Sequence, residues 1–120
     1  MAGHRIQRVS EDIRREITAV IRELKDPRVR ECMLTVVRVD VSSDASFARV
    51  HVSALEGLDA AKRAVKGLES ATGYIRKHVG ENLGLRKTPE IKFIADNSGE
   101  YSMEISQILN KLKDEEKHEN

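Results

Sequence analysis

The stretch MLTVVRVDVSSDASFARVHVSA, residues 33–54, decides the kind of fold this chain adopts. Apolar and polar residues alternate along it, the period of a β-strand and not of a helix. In its first half Thr35, Val37, Val39 and Val41 alternate with Val36, Arg38 and Asp40. In its second half Ala48, Val50 and Val52 point one way, and Phe47, Arg49 and His51 the other. Between the halves SSDAS, residues 42–46, supplies the Ser and Asp chemistry of a turn. The expectation is a hairpin in a sheet with one covered face and one wetter face, the latter carrying Arg38, Asp40, Arg49 and His51.

On both sides of this stretch the period changes. Upstream, Ile6, Val9, Ile13, Ile17, Val20, Ile21 and Leu24 recur at spacings of three and four, which predicts an amphipathic helix. Its other faces carry Arg5, Arg8, Arg14, Arg15 and Arg22. Ser10 before Glu11 and Asp12 would also cap a helix, but the stripe begins earlier and places the start near residue 4 or 5. KDPR ends it, because Pro27 has no amide proton and restricts Asp26.

Downstream, Leu58, Ala61, Val65 and Leu68 form one helical stripe, and Ile75, Val79 and Leu83 a second that Gly84 ends. TPEIKFIAD, residues 88–96, predicts a third strand with Ile91, Phe93 and Ala95 on one side and Lys92 and Ile94 on the other. Tyr101, Ile105, Ile108, Leu109 and Leu112 predict a short amphipathic helix over 100–113, and DEEKHEN, residues 114–120, a disordered acidic tail. This order suits one α+β domain over residues 1–113: a three-stranded sheet with helices on one face, plus the short terminal helix.

The 120 residues are enough for one aliphatic core, with two Phe, two Tyr and no Trp. Net charge is only +1, but it is unevenly placed. Residues 1–30 hold eight basic and five acidic residues, 31–56 two and four, 57–92 eight and four, and 93–120 three and seven. Two basic segments flanking an acidic one suggest a surface that faces a polyanion. Cys32 is the lone cysteine, read as a packed small side chain in a reducing compartment. No signal-peptide pattern or bilayer-length apolar run is present, which predicts a cytoplasmic protein.

No catalytic signature emerges. The glycines fit neither GxxxxGK nor GxGxxG, the four histidines are scattered, and no paired-Cys or HExxH ligand set occurs. Neither enzyme activity, a metal nor a cofactor is expected, and nothing demands more than a monomer. The break at Ala71, Thr72 and Gly73 is read as a kink where a second helix begins. Helix-start amides and dipole favour an anion, and Arg76 and Lys77 follow in the first turn, where cations otherwise oppose the dipole. A packing kink with solvated cations after it is the alternative.

These residues resemble the ribosome-binding factor A family. The matching segments are DPR at 26–28, VDVSSD at 39–44 followed by ARVHVS, ATGYIR at 71–76, LGLRKTPEIKF at 83–93, and Asp96, in a resemblance over about residues 4–112. It implies a KH-like fold of the second type, α-β-β-α-α-β, with an Ala-x-Gly kink where ordinary KH domains carry GxxG. No GxxG occurs here, so the four-nucleotide KH clamp is not expected. It further implies a non-catalytic assembly factor of the free small (30S) ribosomal subunit. Such a factor acts on 16S rRNA late in maturation, aids processing of the rRNA 5′ end and matters for growth in the cold.

From charge and position, Arg5, Arg8, Arg15, Arg76, Lys77, Arg86 and Lys87 are the expected RNA contacts, with ribosomal proteins as further partners. The competing reading is a protein-interaction domain that uses the open sheet face or the terminal helix, with Phe47, Ile94 and Tyr101 as its patch.

Overall fold

The computed structural model describes residues 2–97, with side chains from Ile6 onward. The expected terminal helix, the acidic tail and Tyr101 lie outside the described residues, as does the side chain of Arg5. The elements run α1 (Ala2–Glu23), α2 (Pro27–Arg30), β1 (Leu34–Val41), β2 (Phe47–Ala54), α3 (Leu58–Ser70), α4 (Thr72–Leu83) and β3 (Glu90–Asp96). The sheet order is β1-β2-β3, antiparallel between β1 and β2 and parallel between β2 and β3. This is the expected α+β arrangement, with one turn of helix added. Helix α1 begins at Ala2, earlier than its stripe suggested. Pro27 does interrupt α1, but its fixed φ also suits the first position of α2, which Asp26 caps by accepting from the Arg28 amide at 2.9 Å.

One apolar layer joins the helices to the sheet. Ile13, Ile17 and Val20 of α1, Leu68 of α3, and Ile75 and Val79 of α4 meet Val36, Val39, Val50, Val52 and Phe93, all buried. Every helix that contributes therefore lies on the same face of the sheet. In β2 and β3 the alternation is as expected. In β1 it is not. Val36 pairs with Val52 but Arg38 pairs with His51, so Val37 is an extra residue in a β-bulge. The bulge puts Val36 and Val39 inward and leaves Val37 exposed, and Thr35 is exposed as well. The expectation that Thr35 and Val37 share the covered face with Val39 is overturned.

The stripe of α3 also shifts. Ala60, Ala61, Ala64, Gly67 and Leu68 are its buried residues, and Leu58 and Val65 are only partly covered. Small side chains let α2 come close: a Cβ on Gly67 would stand 2.9 Å from Val29 Cγ2 and 3.2 Å from Asp26 Cγ. Gly73 has no such neighbour within 4 Å. Gly73 also lies inside α4 without a positive φ, so the backbone freedom expected of it is not used at the break. The break falls at Ala71, which has φ −100° and ψ 9° and ends α3 with a bond from its amide to Leu68 O at 3.0 Å. Cys32 packs, as expected, against the small cluster of Ala54, Ala60 and Ala61.

At the β1–β2 turn, Asp44 Oδ1 accepts from Ser42 Oγ at 2.8 Å, Ser46 Oγ at 2.7 Å and the Ser46 amide at 3.1 Å. These donors hold the Asp44 carboxyl down to about 2. Ala45 beside it has φ 58°, a left-handed conformation that a Cβ disfavours.

Candidate nucleic-acid interface

The expected contacts separate into three groups. Arg8 and Arg15 lie on one stripe of α1, opposite the buried Ile13, Ile17 and Val20, so they form part of the outer surface of the helix layer. Arg15 Nη2 meets Asp12 Oδ1 at 3.1 Å, an exposed pair that water screens. Lys77 stands opposite Ile75 and Val79 on α4 and faces outward too. Helices α1 and α4 pack together and are tied by Asn82 Nδ2, which donates to Glu16 Oε2 at 2.8 Å.

Arg86 and Lys87 form the second group. Both are exposed, in the loop between α4 and β3. Gly84 starts this loop in the left-handed region, φ 61°, and the Leu85 amide returns to Gly80 O at 3.0 Å. The loop ends where the Glu90 amide bonds Ser46 O at 3.0 Å, beside the β1–β2 turn.

Arg76 stands apart. It sits 100° round α4 from the buried Ile75, on the flank that meets this loop. Its Nε donates to Pro89 O and its Nη2 to Thr88 O, each at 3.0 Å. The ring of Pro89 is fully buried beneath. One turn along, Gly80 keeps the same flank low, since a Cβ there would run into Thr88 Oγ1. Arg76 therefore holds the loop that displays Arg86 and Lys87.

The structure adds cations that charge counting along the chain did not single out. Arg28 forks onto Asp26, Nε to Oδ1 at 3.1 Å and Nη2 to Oδ2 at 2.7 Å, and its Nη2 also lies 3.4 Å from Ser70 Oγ, next to the break. That pairing holds the Asp26 carboxyl below its usual range. Lys62 and Lys66 stand opposite Ala61, Ala64 and Leu68, so α3 contributes to the same outer surface. Their spacing of four, out of phase with the apolar stripe, was the available signal. The start of α4 has no side-chain cap and no carboxylate in its first turn. Among the described residues no cluster of His, Cys, Asp and Glu could hold a metal, and no helix is long and apolar enough to cross a membrane.

The sequence model of the family described as Ribosome-binding factor A matches residues 5–109. The chain belongs to the ribosome-binding factor A family. The protein of that name from Clostridium tetani is 40% identical over 121 residues, covering 100% of this chain and 99% of its own. That of Clostridium kluyveri is 42% identical over 122 residues, with the same coverage. The solution structure of a Thermotoga maritima protein assigned as a ribosome binding factor A superposes with a TM-score of 0.68 at 32% identity, over 75% of this chain and 85% of that one. A Thermus thermophilus ribosome binding factor A, a homology model fitted into the map of a 30S complex, superposes with a TM-score of 0.57 at 26% identity, over 69% and 86%.

Proposed function

We propose that this protein binds the free small ribosomal subunit through phosphates of its 16S rRNA and acts without catalysis. The observation that carries this reading is the outer surface of the helix layer. Arg8 and Arg15 of α1, Lys62 and Lys66 of α3 and Lys77 of α4 all stand on it, away from the core. Arg86 and Lys87 extend it at one end through the loop that Arg76 holds. Family membership and a relative fitted into a 30S complex supply the partner.

Side chains of this type contact phosphates, which position a protein without reading sequence. Base stacking contributes little, because Tyr74 is the one exposed aromatic among the described residues and it leans on His78 with ring centroids 4.3 Å apart. Selectivity then comes from the shape of folded RNA and from neighbouring ribosomal proteins. A rigid domain of this kind works by differential affinity: it favours one RNA arrangement and leaves when that arrangement is lost. Late maturation of the subunit, help with processing of the rRNA 5′ end, growth in the cold and residence in the cytoplasm are the finer parts of this proposal.

The test is a photocrosslinker placed at position 77 or 87, with the protein bound to free small subunits. Crosslinks to 16S rRNA nucleotides are expected. Crosslinks confined to ribosomal proteins would favour the protein-interaction reading and sink this one.

A further inference from the structure

The outer face of the sheet carries cations that the helix-layer surface does not use. Register places Asp40, Arg49 and Lys92 abreast on β1, β2 and β3, and Arg38, His51 and Ile94 abreast in the next row inward. Arg49 and Lys92, both exposed, are direct neighbours across the parallel pair. Like charges directly opposite each other destabilise a sheet. Asp40 makes no ion pair with Arg49: its Oδ2 lies 3.2 Å from Arg38 Nε and 3.2 Å from His51 Nε2, on the neighbouring row. Glu90, the carboxylate near Lys92 on the same strand, makes no ion pair with it, and neither Arg49 nor Lys92 has an ion-pair partner among the described residues. Of the apolar residues on this side of the sheet, Phe47 and Ile94 are partly buried and Val37 at the bulge is exposed, a single side chain and too little to seat a protein.

Two adjacent cations with no ion-pair partner among the described residues, on a solvated sheet, fit an anionic occupant. Because the helices cover the other face, this occupant cannot be the one that meets Arg8, Arg15 and Lys77. We propose that the outer sheet face is a second RNA-backbone surface, centred on Arg49 and Lys92 with Arg38 at its edge, so that the domain is wedged between two segments of RNA. The proposal rests on the RNA-binding reading above and adds a geometry to it. A two-layer domain gripped on both faces holds two RNA segments at a fixed separation, which gives a protein without catalysis a means of favouring one arrangement of the subunit. Arg86 and Lys87, in the loop that joins the helix layer to β3, lie between the two surfaces in the chain.

The experiment measures affinity against salt for the full chain, on protein-free 16S rRNA and on free small subunits. Arg49→Gln/Lys92→Gln removes two phosphate contacts, so the slope of log K against log salt should become shallower by about 1.4–1.8 on both targets. Combined with Arg8→Gln/Arg15→Gln, the two losses should add, as they do for separate contact surfaces. Lys92→Gln alone should leave the melting temperature of the free protein unchanged or raise it by roughly 1–4 °C, because it relieves the Arg49 repulsion. An unchanged slope in a folded double variant overturns the proposal. A loss seen only on intact subunits also overturns it, by assigning the face to an acidic ribosomal protein. If the unmodified chain binds neither target, the RNA-binding reading itself falls.

Discussion

Arg76 Nε lies 3.0 Å from the carbonyl oxygen of Pro89, thirteen residues away, and fastens the end of the α4–β3 loop to the middle of α4. A second bond, from Nη2 to Thr88 O, makes the grip two-pronged. This guanidinium serves carbonyls and is a positioning group. Charged hydrogen bonds of this kind contribute about 1.5–3 kcal/mol each, and the two share one side chain. Arg76→Gln should lower unfolding stability by roughly 2–3 kcal/mol in denaturant titration. Amides of residues 85–88 should lose exchange protection more than those of α1. A variant as stable as the parent would show that the loop holds itself.

The two glycines near the break should respond in opposite directions. Gly67→Ala gains helix propensity but drives a methyl to 2.9 Å from Val29 Cγ2, so the buried Val29 side chain or α2 with it must shift. A net loss of about 1–3 kcal/mol is expected. Gly73→Ala meets nothing within 4 Å and should gain about 0.5–1 kcal/mol. Thermal unfolding of the two variants checks the pair. Equal shifts would mean that α2 does not depend on the close approach at Gly67.

Asp44 gives stability a defined acid dependence. Its carboxyl titrates at about 2 in the folded chain, against about 3.9 when unfolded. The native state therefore binds fewer protons in this window, and the contribution of Asp44 is complete above about pH 4 and lost as pH falls toward about 2. Asp44→Asn should flatten the stability profile between those values. A profile identical to the parent's would place the acid sensitivity elsewhere, for example on Asp26, whose carboxyl is also held low by Arg28.

Ala45, next in the same turn, should tolerate glycine well. Its φ of 58° costs an L-residue about 1–2 kcal/mol, part of which glycine returns through its freer unfolded chain. Ala45→Gly should raise stability by up to about 1 kcal/mol, read from the denaturation midpoint.

The helix-layer surface predicts a salt signature. Replacing Arg8, Arg15 and Lys77 together by Gln should make the salt dependence of small-subunit binding shallower by about 2–3, with the fold intact by circular dichroism. An unchanged dependence would show that these exposed cations are merely solvated.

Most of the architecture was legible because its causes are local. Alternation in residues 47–54 and 90–96, and three-four spacing in residues 6–24, follow from which side chains repeat on one face of a regular backbone. Ala71 and Gly73, two small residues inside a helical pattern, marked the break between α3 and α4. Local patterning was enough for the order of the longer elements, the covered faces of α1, β2 and β3, and the family. Tertiary structure alone decided the bulge at Val37, since an extra residue is defined only against a partner strand. It alone turned Arg76 toward Thr88 and Pro89, and made Gly67, not Gly73, the glycine that packing requires. It alone set Arg49 beside Lys92, because charge counted along a chain carries no information about which strands will lie next to each other.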